Sequence, residues 1–563
     1  MGDGKSNFTR RAFIAGGAAA GAAAAVPTPV EYLLNALSSG FIRKAQAEAA
    51  GAEGSRNYIN ILVAGGPMRY AFDAWMRTNN SDPDLEYNPM VATKFVSSGG
   101  RVVGTQNATF NYNGVLVPHM FSHSVFNSAG GQRPLTDLLN HMLVIRGYGT
   151  GFDGHPFNAV VQQAPVGGVS SVAGLAADYS KKTFEAVEWP ERGSYGVYAS
   201  HAGKALNKVT GSPLYSLLEG FGGPQGGRVK GRSLKDRHRE AYELAQARLR
   251  AYAQSDFSGS TVLARNLANA SDLMKKGTGN IDSFWGPAVA RYRAVIENSM
   301  RQSGLVGISD VPIISDRGAM WGVHVADGNR RLLLSEDFDA RAAVSSMVAP
   351  GALSEGLALA EYVLKEGLVT SLNLQMGDPA NVTLKDAGNG AQNVHIAIKD
   401  MHETGAIPGL LITTAYYRAL AAGLLELMDQ LKKTKVGNTD LWSETVVQVI
   451  SEFNRSARVN GTGSDHGFNQ MVTSVFSGAI TRGPFVVGNI YRGGHGGGYT
   501  GTQGIGAPIE GYNQAGRPTP TMAASTVAAL LRVPKNPYEN LAAPLVELVN
   551  GQVRVLKTAK IVG

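Results

Sequence analysis

The sequence predicts an α/β fold in which a mostly parallel central sheet is flanked by helices and carries a helical insertion. Three observations lead there. Residues 58–64 are a short apolar, β-branched run ending in Gly65, Gly66 and Pro67, as a buried strand does when it reaches a loop at a sheet edge. Residues 416–431 form a strong amphipathic helix that leads through Gly437 into the β-branched run 445–450, and helix followed by buried strand is the crossover unit of a parallel sheet. The 70 glycines, with only 17% charged residues, call for long surface loops rather than a helical bundle or a disordered chain.

Taken in order, the chain opens with Thr9, Arg10, Arg11, Ala12, Phe13 and Ile14, a polar residue, two arginines and an apolar pair before an Ala/Gly-rich stretch. That is the layout of a twin-arginine export signal. Residues 15–26 are too short and too rich in Gly and Ala to span a bilayer, which takes about 20 predominantly apolar residues. Small residues after Arg43 and Lys44 place cleavage near Ala47 or Ala49. The expectation is a signal over 1–49, a single domain over 50–563, the twin-arginine translocase as a partner during export, and a periplasmic or secreted mature protein that does not span the membrane.

With no cysteine, the fold must rest on its core instead of disulfides. The net charge of +8 is modest for 563 residues and partly lies in the signal, so no nucleic-acid partner is implied. Residues 81–132 lack sustained periodicity and read as loops and short hairpins. Residues 135–139 read as helix and 142–145 as a second buried strand closed by Gly147 and Gly149. Helical spacing over 234–253, recurring towards Arg301, predicts the insertion at about 230–305. Further helices are expected over 355–365 and 521–531, the latter stopping before Pro534.

Three segments bring carboxylates and histidines close in sequence: Asp400 with His402, the strand exit Ser451, Glu452, Phe453, Asn454, Arg455, and Ser464, Asp465, His466, Gly467. Carboxylate with imidazole suits a divalent metal such as zinc, manganese or calcium, and an open coordination position polarises a substrate oxygen. Taken alone, Asp465 and His466 read equally as an exposed turn. His495 lies in a Gly-rich loop, and His119 and His123 stand four residues apart, where they share a metal only if that loop is helical. Gly65 and Gly66 lack the spacing of a dinucleotide fingerprint, and no Walker-type lysine follows them.

The segment 446–467, with its Ser-Glu-Phe turn, Arg455, Asn460 and the run Gly463, Ser464, Asp465, His466, Gly467, resembles an exported family built on a domain of unknown function and grouped with the alkaline phosphatases and sulfatases. The likeness extends through Gly478 and Gly483 to the helix at 526–533, and back to Asp400 and His402 as an Asp-x-His element. It implies an alkaline phosphatase-like sheet with Asp400, His402, Asp465 and His466 as metal ligands, Glu452 and His155 as further candidates, and Arg455 on a small anionic ester or glycan substrate. The N-terminal half departs from the family. Only Asp73 supplies an acid after Gly65, Gly66, Pro67, and Gly154 of Asp153, Gly154, His155 stands where the family has a serine, leaving Thr150 or a water as nucleophile. Two readings stay open: a metal-dependent hydrolase of phosphate or sulfate esters, and a catalytically degenerate relative acting as an envelope binding or structural protein.

Overall fold

A computed structural model of the chain describes residues 55–77, 93–98, 101–180, 182, 184–209, 281–299, 310–312, 331–333, 347–348, 352–376, 382–386, 392–396, 400–402, 406–458, 464–491, 502–503, 505–507, 518–550 and 552–556. Its centre is an eight-stranded sheet made of β1 (Asn57–Val63), β2 (Met142–Tyr148), β3 (Phe184–Trp189), β4 (Leu206–Lys208), β5 (Val369–Met376), β6 (Thr445–Ser451), β7 (Met471–Ser477) and β8 (Phe485–Val487). Across the sheet they lie in the order β4, β3, β5, β1, β6, β7, β2, β8. β1 pairs in parallel with β5 and β6, β3 with β4 and β5, and β8 with β2; only β7 runs against its neighbours. The mostly parallel α/β sheet expected from the sequence is therefore present.

Helices cover both faces: α1 (His155–Gln163), α2 (Val172–Asp178), α3 (Ile281–Asn298), α4 (Leu353–Lys365), α5 (Ala406–Lys432) and α6 (Pro520–Leu530). Alternation along β1 shows how the layers divide. Ile59, Ile61 and Val63 pack with Leu357, Leu420 and Tyr292 of α4, α5 and α3. Tyr58 faces the other way, with Leu175 of α2 and Val527 of α6, and Leu62 packs with Ala159 of α1. Every residue of β1, β2, β6 and β7 is buried, which explains why β1, β2 and β6 read as mostly apolar runs rather than as alternating strands.

Some boundaries differ from expectation for identifiable reasons. β2 continues past 145 through Gly147 because the register with β7 shifts there, pairing Met471 with Tyr148 and Val472 with Arg146. α5 begins at Ala406, well before 416, because Pro408 falls in its first turn, where a missing N–H is tolerated, and Leu410, Ile412 and Ala415 are buried. Residues 94–134 do contain short hairpins, among them Thr109–Tyr112 with Val115–Pro118. A six-stranded second sheet built from Lys94–Ser98, Arg101–Gln106, Asp310–Pro312, Arg331–Leu333, Val382–Asp386 and Gln392–Ile396 had no sequence signal, since its strands are only three to six residues long. The helix expected over 234–253 lies outside the described residues; of the insertion, α3 is described. No helix among the described residues is long and apolar enough to cross a membrane.

Candidate metal centre

The C-terminal ends of β1, β2 and β6 and the start of the antiparallel β7 meet at one edge of the sheet. That edge is where parallel α/β sheets bind ligands, because the loops leaving adjacent strands diverge there. β1 delivers the main chain of Gly65 and Gly66, β2 delivers Asp153 and His155, β6 delivers Glu452 to Arg455, and the segment entering β7 delivers Asp465 and His466. Asp400 joins them through its N–H, which donates to the Gly65 carbonyl at 2.9 Å. Ser464 then ties the two remaining segments together, its N–H donating to the His402 carbonyl at 3.1 Å and its hydroxyl to the Met401 carbonyl at 2.8 Å.

Asp400 is the centre of the cluster. Its Oδ1 lies 3.3 Å from His155 Nε2, 3.2 Å from His402 Nε2 and 3.3 Å from His466 Nε2. Arg455 Nη2 donates to the same oxygen at 2.6 Å. Four nitrogens around one carboxylate oxygen exceed its lone pairs, and His402 Nε2 also faces His466 Nε2 at 2.9 Å. Two facing imidazole nitrogens need either a shared proton or a shared cation. A tetrahedral ion bound at about 2.0–2.1 Å by nitrogen and oxygen sets its ligand atoms roughly 3.3–3.4 Å apart, close to the separations from Asp400. Among the described residues, His155, Asp400 and His466 form a group able to hold a metal ion, with all three donor atoms within 4.8 Å of one another, and His402 flanks it.

Each imidazole is backed by a carboxylate of its own. Nδ1 of His155 donates to Glu452 Oε2, and Nδ1 of His466 donates to Asp153 Oδ1. His402 Nδ1 lies 3.5 Å from Asp465 Oδ1. Held at Nδ1, each ring presents Nε2 to Asp400, where it donates a hydrogen bond when protonated and offers a lone pair to a cation when not, the arrangement by which carboxylates orient metal-binding histidines and raise their basicity. Glu452 is fixed in turn: it is buried, and its Oε1 accepts from Gly65 N at 2.8 Å.

The electrostatics follow from this geometry. Burial works against a proton on His155, but the Asp400 and Glu452 acceptors outweigh it and raise the ring to about 9. Burial likewise opposes charge on His402, and Asp400 with Asp465 outweighs it, so that ring is also shifted upwards. Burial would raise Asp400, yet hydrogen bonds from the three histidines and the charge of Arg455 hold its carboxyl well below the usual carboxylate range. The field that keeps a proton on His155 is one that favours a cation.

Arg455 has a positioning geometry. It is wholly buried, with Nε donating to the Gly66 carbonyl at 2.7 Å and its guanidinium over the Phe453 ring at 5.5 Å. Nη1 is buried without a hydrogen-bond partner among the described residues. Gly66 makes this possible: at φ +55° a Cβ would lie 3.1 Å from the Phe453 ring and 3.5 Å from Arg455 Nη2. Gly467 allows an equally close approach, since a Cβ there would stand 2.8 Å from the Arg455 carbonyl carbon. Phe453 stacks on His466 at 4.1 Å with planes 7° apart, so the turn after β6 holds both the acid and one imidazole.

The residues expected from the sequence are thus brought together with redistributed positions. Asp400, His155, His402 and His466 converge. Glu452 and Asp465, expected as ligands, stand behind His155 and His402, and Arg455, expected on the substrate, is buried against Asp400. The Thr150 hydroxyl donates to the Asn158 amide oxygen, which fixes the loop that Asn158 Nδ2 also ties through the Phe152 and Gly154 carbonyls at 3.0 and 2.9 Å. Asp73 is fully buried in an ion pair with Arg69 and takes no part in the centre. Asp153 was missed, although its place two residues before His155 repeats the acid-histidine pattern of the other segments. His119 and His123 do sit at a short helical turn, His119–Ser122, with rings 4.9 Å apart, away from the described metal group. His495 and Asn460 lie outside the described residues.

No family model matches this chain, and neither a curated protein nor a solved structure does.

Proposed function

We propose that the protein is an exported, metal-dependent hydrolase of phosphate or sulfate esters. The observation that carries this reading is the convergence of three carboxylate-backed imidazoles on Asp400 at the C-terminal edge of a mostly parallel sheet. His155, Asp400 and His466 would hold the ion, with His402 beside them, and three imidazoles with one carboxylate favour zinc or manganese over calcium. Such an ion, when bound, offsets the negative charge of an ester and acidifies a water. The chain's own residues prepare the site. Glu452, Asp153 and Asp465 hold the rings in one orientation, and Arg455 fixes Asp400. The twin-arginine motif and the resemblance to an alkaline phosphatase-like exported family support the compartment and the ester class.

Nearby hydroxyls bear on the nucleophile. Thr150, Ser451 and Ser464 each donate to an oxygen of the protein, to Asn158, Phe453 and Met401 respectively. With Gly154 where the resembled family has serine, water is the attacking group in this reading. The same hydroxyls favour the second reading, a protein that binds a metal and an anionic ester without turning it over.

Elemental analysis of the exported protein against His155→Ala/His466→Ala, followed by a screen of phosphate and sulfate esters, tests both. Stoichiometric metal with hydrolysis supports the enzyme; stoichiometric metal with ester binding and no turnover supports the binding protein. No metal in the native protein after reconstitution with zinc or manganese overturns the proposal.

A further inference from the structure

The loop that carries the centre also carries an unusual surface. Among the described residues the exposed large apolar side chains are Val96, Phe152, Phe157, Val436, Leu541 and Val549, and only two of these are aromatic. Both belong to the segment that supplies Asp153 and His155. Phe152 is 49% exposed and Phe157 47% exposed. Their ring centroids lie 4.1 Å apart with planes tilted by 49°. Phe152 adjoins Asp153, which holds His466, and Phe157 projects from the first turn of α1, which His155 begins. The segment that supplies Asp153 and His155 to the centre therefore also exposes an apolar aromatic pair.

The geometry narrows what such a face can take. Aromatic cages for quaternary ammonium groups place the cation over ring faces within about 6 Å of each centroid. Rings with centroids this close cover one another's inner faces and leave no slot between them, so what they offer a flat group is the outer face of one ring with the other packed behind it. Between them in sequence lies Asp153, whose side chain is 64% exposed. Its Oδ1 accepts from His466, and its Oδ2 has no protein partner among the described residues. An ionised carboxylate oxygen accepts strongly from hydroxyls and repels further anionic groups. A sugar ring has both complements: a face of C–H groups for the negative aromatic faces and hydroxyls at its edge for the carboxylate.

We propose that Phe152, Phe157 and Asp153 form a subsite for the sugar ring of a sugar phosphate or sugar sulfate whose ester group lies at the metal centre. This rests on the ester-hydrolase reading of that centre. A simple aryl ester would use the rings but offer no hydroxyl to Asp153 Oδ2, whose Oδ1 already serves His466.

Calorimetry on the exported, metal-loaded protein tests the subsite with methyl phosphate, phenyl phosphate and glucose 6-phosphate, and with maltotriose as a neutral probe. Glucose 6-phosphate is expected to bind at least about tenfold tighter than methyl phosphate, the equivalent of about 1.4 kcal/mol. In Phe152→Ala/Phe157→Ala that ratio falls towards one while metal content equals the native value. A gain for phenyl phosphate without one for glucose 6-phosphate overturns the sugar assignment in favour of an aryl group. Equal binding of all three phosphates by the native protein overturns the subsite altogether. If the native protein takes up no metal, the hydrolase reading fails separately. The subsite is then decided by maltotriose line broadening in nuclear magnetic resonance: broadening that the double variant abolishes supports it, and no broadening by the native protein overturns it.

Discussion

Two carboxylates near the end of β1 have opposite surroundings. Asp73 is closed: Arg69 grips it through Nε at 2.9 Å and through Nη2, Ser474 Oγ donates at 2.5 Å, and both charged side chains are 0% exposed. Arg69 Nη1 reaches Ser451 Oγ at 3.3 Å, so its positive charge is also bound into the core. Asp400 is open. Its side chain is 42% exposed, and its Oδ1 faces three imidazole nitrogens besides Arg455. The first site has matched donors to acceptors within the protein. The second has gathered more nitrogen around one oxygen than hydrogen bonding uses, and that surplus distinguishes a group that could hold an ion from a buried ion pair that serves the fold.

The sharpest break of this comparison is His155→Ala/His466→Ala, which removes two of the three grouped donors. Metal content is expected to fall from about one equivalent to none, while thermal unfolding of the zinc-free protein changes little; retained metal would erase the distinction between the two sites. Asp73→Ala should act the other way. It leaves Arg69 buried and unpaired, which costs about 3–5 kcal/mol in urea unfolding, and the molecules that remain folded should bind metal as before. Glu452→Gln keeps the shape behind His155 but removes the carboxylate charge, and should weaken metal binding by roughly 10–100-fold in a chelator competition.

The smallest expected effect concerns His123, outside both sites. Burial chiefly, with Arg418, His119 and Lys94 nearby, lowers it to about 4. Because the folded value lies below the free value of 6.5, the unfolded chain binds more protons between the two. The contribution is fully present above about 6.5 and is lost as pH falls towards 4. His123 is only half-buried, so solvent screening reduces it to about 1–2 kcal/mol. Denaturant midpoints measured from pH 7 to 4.5 should decline less steeply in His123→Gln than in the native protein, and parallel slopes would contradict the assignment.

Of the eight central strands, β1, β2 and β6 were legible, each a short apolar run buried on both faces. β1 and β6 read as short, mostly apolar, β-branched runs, and each was anticipated to within a residue or so. The second sheet was not legible, since strands such as Asp310–Pro312 and Arg331–Leu333 are too short to show a period. Asp400, His402, Glu452, Arg455, Asp465 and His466 stood out because three segments bring acids and histidines close in sequence and because those segments resemble the exported family; any one pair alone reads as a turn. Asp153 did not, because an exposed loop aspartate followed by a glycine is ordinary turn chemistry.

By itself the sequence determined the ingredients: a mostly parallel α/β core, the acid-histidine pairs Asp400 with His402 and Asp465 with His466, and Glu452 and His155 as further candidates. Which carboxylate serves which imidazole was decided only by the tertiary structure. Asp153 backs His466 across 313 residues and Glu452 backs His155 across 297, whereas Asp400 receives every ring. Neighbours in sequence point their side chains along diverging directions as a loop turns. The order of β1, β6, β7 and β2 in the sheet sets which loops face one another, and that order is fixed by packing across the whole domain rather than by any local pattern.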